Sequence, residues 1–187
     1  MCYTFSNMSV EVVTQILSVL AIIAQVTTFT LLLALFLPGK KAKQVIQFFG
    51  RHAIVFALAI VLVSTLGSLF YSEIAGYTPC KLCWYQRILM YPQVLLLGMA
   101  FLKKDKNIVD YSILLSGIGA AIALYHYLLQ RGAVSEILPC STVGYSVSCA
   151  KTFVMTYGYI TIPLMALSAF CLVVLLMIAK NKVQIKK

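Results

Sequence analysis

Two cysteines with two residues between them, Cys80-Lys81-Leu82-Cys83, and a second, wider pair, Cys140 and Cys149, are the groups of this 187-residue chain best suited to chemistry. A disulfide across a C-x-x-C spacing closes a very short ring and so constrains little of the unfolded chain, which makes it a poor staple. Pairs of this kind are redox-active or metal-binding, because either sulfur is readily released. They open an apolar run that continues through Trp84, so the spacing predicts a helix whose positive N-terminal end lowers a thiol pKa, with Cys83 gaining most. Cys80, Cys83 and Arg87 stand three and four residues apart and share one helical face, Arg87 lying about one turn deeper. An arginine at such depth is ordinarily paired and marks a site. Its natural anions here are the Cys83 thiolate and a polar carbonyl compound reduced by it. The plainer alternative is that Arg87 reaches back to the lipid headgroups.

The elements that position these groups follow from composition. The chain is 61% hydrophobic and 11% charged, with a mean hydropathy of +0.95. A water-soluble domain carries about 25% charged residues, so the solvent is a lipid bilayer, and disorder and fibrous repeats are excluded. Five runs reach the roughly 20 apolar residues that a helix needs to cross hydrocarbon: Val10 to Leu37, Ala53 to Tyr71, Trp84 to Leu102, Ile108 to Leu129 and Ile162 to Ala179. Barrel strands would alternate, and these runs do not. The expectation is an all-α membrane protein: a compact four-helix bundle from Ala53 onward, preceded by one extra transmembrane helix. Residues 1–51 hold that helix and a basic cytoplasmic linker, residues 52–180 the four-helix domain with its two cysteine-bearing outer loops, and residues 181–187 a basic tail. The first run has no Lys or Arg before it and no small-residue cleavage site, so it reads as a retained helix and not as a leader.

The formal charge of +10 is explained by where the cations sit. Lys40, Lys41, Lys43 and Arg51, then Lys103, Lys104 and Lys106, then Lys180, Lys182, Lys186 and Lys187 fall on one set of alternate connections, against Lys81, Arg131 and Lys151 on the other. Positive residues mark the cytoplasmic side, so the N-terminus and all four loop cysteines are expected outside and the C-terminus inside. The surplus is thereby a matter of lipid headgroups and not of nucleic acid. The outer side of a bacterial membrane is oxidising, where disulfides persist. A thiolate oxidised repeatedly there must pass two electrons onward, and no haem, flavin or iron–sulfur motif is present. The abundant two-electron acceptor in a bilayer is a quinone, ubiquinone or menaquinone, whose carbonyl a guanidinium would polarise.

The segment Pro79-Cys-Lys-Leu-Cys-Trp-Tyr-Gln-Arg87, followed by a spanning helix, closely resembles the C-x-L-C-x-x-x-R motif of the DsbB family of disulfide-bond formation proteins. The close-set second pair and Ile160-Thr-Ile-Pro-Leu-Met-Ala-Leu167 resemble its short BdbC-like branch, and the likeness runs from about Ala53 to Ala179. It implies a membrane thiol:quinone oxidoreductase of the bacterial cell membrane that reoxidises a DsbA-like, thioredoxin-fold thiol oxidase and so supports disulfide formation in secreted proteins. By the same resemblance Cys140 takes the mixed disulfide with the partner, Cys149 relays to Cys80, and Cys83 faces the quinone beside Arg87. DsbA-type partners are themselves oxidants at about −120 mV, so the relay needs a strong terminal acceptor. The extra first helix departs from the family pattern and has no role assigned by it.

His126, in Tyr125-His-Tyr, falls at the outer end of its helix and is suited to proton delivery during quinone reduction; the alternative is a histidine satisfied at the interface. His52, on the inner side, reads as interfacial. Residues 152–160, rich in aromatics, read as an interfacial belt, Gly144 as a source of loop flexibility, and Cys171 as a small core hydrophobe; Cys2 has no evident partner. Two rivals stand beside the redox reading. Cys80, Cys83, Cys140 and Cys149 would together suffice for a zinc or copper site, although a structural metal gains nothing from the nearby Arg87, and no metal is expected. Alternatively the outer loops are merely stapled. A vitamin K epoxide reductase-like protein does similar chemistry, but its C-x-x-C lies near the end of the bundle.

Overall fold

The computed structural model describes residues 2–37, 39–105, 107–135 and 148–185, without the side chains of residues 2–8 and 185. Apolar runs bounded by Pro, Gly and charged residues give helices α1 (Cys2–Phe36), α2 (Lys40–Arg51), α3 (Ala53–Leu69), α4 (Lys81–Lys103), α5 (Ile108–Gln130) and α6 (Ile162–Ile185). There is no strand among the described residues, only an isolated bridge between Thr156 and Ile160. Four of the helices, α1, α3, α5 and α6, are long and apolar enough to cross a membrane. The fifth expected span, α4, matches α5 in length at 23 residues. Lys81, Gln86, Arg87 and Gln93 make it less apolar than its neighbours, and these include the residues that build the site.

Helices α3, α4, α5 and α6 pack successively, and α6 returns to α3 to close a ring; α1 and α2 lie against the outside of α6. Large apolar side chains such as Val26, Phe29, Ile88, Leu95 and Leu114 remain exposed, as lipid-facing residues should. Lipid is as apolar as Leu, so the helices are held by close packing and interhelical hydrogen bonds and not by escape from water. Phe170 of α6 is fully buried against Gly119 of α5. Between α4 and α5 the buried Ser116 hydroxyl donates to Gln93 Oε1 at 3.0 Å. From α1, Gln25 Nε2 donates to Ser168 Oγ of α6 at 3.1 Å.

The segment expected only as a basic linker is in fact helix α2. Its lysines face out while Val45 and Phe49 pack on the core, and Gly50 sits directly on the Ala179 carbonyl of α6. Alternation of Lys and Gln with Val, Ile and Phe at helical spacing makes it amphipathic, the pattern of an interfacial helix. At the other end of the bundle, α3 widens into a π-helical turn over Phe70–Ile74. Residues 152–160 form no helix: the chain turns back through Tyr157 and Gly158, both at positive φ, and buries Val154 and Ile160.

A methyl group at Gly119 would overlap the Phe170 ring, whereas one at Gly117 would meet nothing within 4 Å. Gly119→Ala should therefore lose about 1–3 kcal/mol through overpacking, while Gly117→Ala should be neutral or slightly stabilising. Thermal unfolding in detergent checks this; equal midpoints for the two variants would contradict the packing described.

Candidate active site

The site is built on the first turn of α4. Cys80 is the N-cap, extended at φ −75° and ψ 173°, and its sulfur accepts the backbone N–H of Cys83 at 3.4 Å. An N-cap atom that accepts from the first turn satisfies an otherwise orphaned donor and lies at the positive end of the helix. The two sulfurs lie 3.2 Å apart, within hydrogen-bond distance. His126, at the C-terminal end of α5 and 1% exposed, brings Nε2 to 3.7 Å from Cys80 Sγ. These contacts pull Cys80 from an ordinary 9.0 down to about 4: the Cys83 hydrogen bond is the largest cause, burial opposes it, and the His126 hydrogen bond adds to it. The sulfur favoured as the anion is thus the N-cap Cys80, where helix position alone had pointed to Cys83. The reason is position: Cys80, at the N-cap, accepts the Cys83 amide and lies beside the His126 ring, so the proton that the two sulfurs share rests with Cys83.

His126 is oriented from both sides. Its Nε2 lies 3.1 Å from the carbonyl oxygen of Cys149, which can only accept, so Nε2 carries the proton. Its Nδ1 then accepts from Gln86 Nε2 at 3.0 Å. Cys80, Leu82, Leu129 and Cys149 pack as one buried cluster, which brings the second loop's cysteine into the neighbourhood of the N-cap.

Arg87 turns toward α3. Its Nε donates to Ser68 Oγ and its Nη2 to the Ser68 carbonyl, both at 3.0 Å, and Tyr91 donates to the same hydroxyl at 3.1 Å. The guanidinium also lies 5.4 Å from the Trp84 ring centre. Fixed in this way, Arg87 lines a cavity of about 380 Å³ together with Cys83, Gln86 and His126, whose remaining walls are mostly apolar and come from α1, α3 and α6. Cys80 is not among its lining residues. Over the cavity's mouth Phe153 stacks on Tyr77 at 5.0 Å and Tyr77 on Tyr71 at 5.8 Å.

Comparison with known proteins decides the identity of this arrangement. Residues 50–180 match the model of the family described as "Disulfide bond formation protein DsbB". The chain belongs to the DsbB family. Among the relatives, "Disulfide bond formation protein C" of Bacillus subtilis is 44% identical over 131 residues, 68% of this chain and 93% of its own length. "Probable disulfide formation protein C 1" of Bacillus anthracis is 40% identical over 146 residues, 77% of this chain and 99% of its own. The likeness to the C-type branch expected from the motif is thus borne out. No solved structure matches. Membership of the DsbB family makes the chain a multi-pass membrane protein of disulfide-bond formation, a thiol–disulfide oxidoreductase.

Of the residues singled out from sequence, Cys80, Cys83, Arg87 and His126 come together, and Cys149 joins them through its carbonyl and by packing. Cys149 is disulfide-bonded, and its partner is outside the described residues, as are Cys140, Gly144 and the side chain of Cys2. Cys171 is half-buried within α6, away from the cluster. Cys80, Cys83 and His126 have donor atoms within 4.8 Å of one another, close enough to chelate a soft metal ion. Sequence reasoning missed Gln86 and Ser68. A signal for Gln86 existed, because a glutamine inside an apolar run is costly unless it has a partner. Ser68 carried none, being one hydroxyl among several on α3.

The proton inventory of this DsbB-family site is measurable. In the reduced protein one thiolate should persist as pH falls and disappear only near pH 4, because the hydrogen bonds favour the charged form. Cys83→Ala removes the principal donor, so the step should move up by at least about one unit, toward the ordinary thiol value of about 8.5. Ultraviolet absorbance of the thiolate follows it; an unmoved midpoint would deny that Cys83 is the donor.

Proposed function

We propose that the chain is a dithiol:quinone oxidoreductase that draws electrons from a DsbA-like extracytoplasmic thiol oxidase. One observation carries the reading: the two sulfurs of the C-x-x-C pair face different things. Of the two, only Cys83 lines the large cavity with Arg87 and His126, whereas Cys80 is buried in the cluster that contains Cys149. A dithiol so divided is suited to receive electrons on one side and deliver them on the other.

The fit to a quinone rests on the cavity, which has a polar end of Arg87, Gln86, His126 and Ser68 and an apolar remainder. Its volume of about 380 Å³ falls within the roughly 300–1,000 Å³ of small-ligand sites. A quinone bound there would supply the two-electron sink and take up two protons. Arg87, held by Ser68, presents its other N–H groups and its charge where oxygen becomes negative. His126 Nε2 lies 3.7 Å from Cys80 Sγ, and Gln86 holds the ring for delivery of its proton.

The relay follows from exchange chemistry. A thiolate of the partner attacks the disulfide of Cys149, whose other sulfur we assign to Cys140, and the Cys149 thiolate is released. Cys149 then attacks Cys80 of the oxidised pair and expels Cys83 as a thiolate into the cavity. Two negative sulfurs 3.2 Å apart repel, so Cys83 holds its charge when Cys80 is engaged in a disulfide. The sulfur expelled is thus the one beside Arg87; the partner's second thiol then displaces Cys140 and leaves oxidised, Cys140 attacks Cys149 and releases Cys80, and loss of two electrons from the reduced pair re-forms the Cys80–Cys83 bond. The excess of basic residues at the opposite end of the bundle supports an extracytoplasmic cysteine end in the bacterial cell membrane.

Purified protein should reduce quinone in the presence of reduced partner. Cys83→Ser should abolish the reaction and Arg87→Ala should slow it roughly hundredfold, as loss of a charge-stabilising donor does. Undiminished turnover in Cys83→Ser would sink the proposal, and stoichiometric zinc in the active protein would favour the metal reading of the same donors. In cells, Cys149→Ala should accumulate a mixed disulfide between Cys140 and the exported partner, seen on a non-reducing gel. Trapping through Cys80 instead would reverse the order of the relay.

A further inference from the structure

The first helix lies outside the region matched by the DsbB family, which begins at residue 50, yet it is a wall of the cavity. Leu17, Leu20, Ala21, Ala24 and Thr27 of α1 line it from one side. Their spacing of three and four places them on a single helical face. Two hydrogen bonds seat that face: Tyr71 donates to Thr14 Oγ1 at 3.3 Å, and Gln25 reaches Ser168 at 3.1 Å. At the cysteine end α1 touches α3 directly, since a methyl at Gly67 would come within 3.0 Å of Leu17 Cδ1. Further along, the lining residues are Ala21 and Ala24 from α1 and Ile60 and Val63 from α3. Small side chains there leave room between the helices where larger ones would close it.

We propose that α1 completes the acceptor site, and that its Ala21–Ala24 face holds the isoprenoid tail of the quinone whose ring lies by Cys83 and Arg87. The inference rests on the quinone reading above and extends it to a helix that the family match does not include. Three features support it. The cavity is continuous from the charged end to α1; its α1 side is apolar apart from Thr27; and about 380 Å³ accommodates a ring with the start of a tail, the rest passing into lipid. Lipid competes for the same tail, so what α1 adds is close packing and not escape from water.

The test separates ring from tail. Trp84 is the chain's sole tryptophan and lies 5.4 Å from the Arg87 guanidinium, so quenching of its fluorescence reads quinone binding without turnover. Full-length protein in detergent is titrated with menadione, which is ring alone, and with its geranylgeranylated counterpart. Ala21→Phe and Ala24→Phe should weaken the tailed quinone about tenfold or more and leave menadione within about twofold. Val26→Phe, on the exposed side of α1, should change neither. In wild type, which presents no folding question, a quinone carrying a photoreactive group in its tail should label α1, as read by peptide mass spectrometry. Equal shifts for both ligands in the Ala variants, or labelling confined to α3 and α6, would overturn the assignment to α1. If wild type bound neither quinone, the acceptor reading itself would fall.

Discussion

Everything in this site depends on where a single negative charge is held between two sulfurs 3.2 Å apart. Cys80 accepts the Cys83 amide and lies beside the Cys83 thiol and the His126 ring, which favours the charge of the reduced pair on the N-cap sulfur. Stabilising the reduced form of a dithiol makes its disulfide a stronger oxidant. The proposed oxidation of an already oxidising partner would benefit from that bias, and the proposed acceptor cavity lies beside the other sulfur, where the charge would move once Cys80 is bonded elsewhere. The chemistry is asymmetric because the hydrogen bonds are.

The surrounding architecture serves this asymmetry. Arg87 is part of α4, but Ser68 of α3 fixes its direction; His126 is part of α5, but Gln86 of α4 fixes its tautomer. Each charged or titrating group is therefore oriented by a neighbouring helix. In hydrocarbon, where an unpaired polar group is costly, such cross-helix pairs both complete the site and tie the bundle together. The aromatic stack of Tyr71, Tyr77 and Phe153 extends the arrangement to the loops.

Much of this was legible in the chain. The helices follow from run length, and their ends fall within a few residues of the apolar boundaries because Pro, Gly and charge stop them. Cys80, Cys83 and Arg87 could be placed on one face by counting, and His126 at the correct end of its helix by the same means. The missing parts depend on three dimensions. Which sulfur is favoured as the anion is decided by the groups packed around it, His126 of α5 among them, which spacing does not convey. Ser68 became a ligand for the guanidinium only when α3 and α4 packed together. Helix α2 reads as a linker in the sequence because it is too short and too basic to span, although its apolar residues recur at helical intervals.

The length of α1 has a consequence for the whole. Its apolar stretch, Ser9–Phe36, covers 28 residues and so is about 42 Å long, whereas the hydrocarbon layer is about 30 Å thick. A helix with that much excess accommodates by leaning. One that meets α3 at the cysteine end and leans elsewhere leaves a wedge between the two, so the thickness of the host membrane becomes a dimension of the cavity, and the lipid composition around the protein helps determine how wide that wedge stands open.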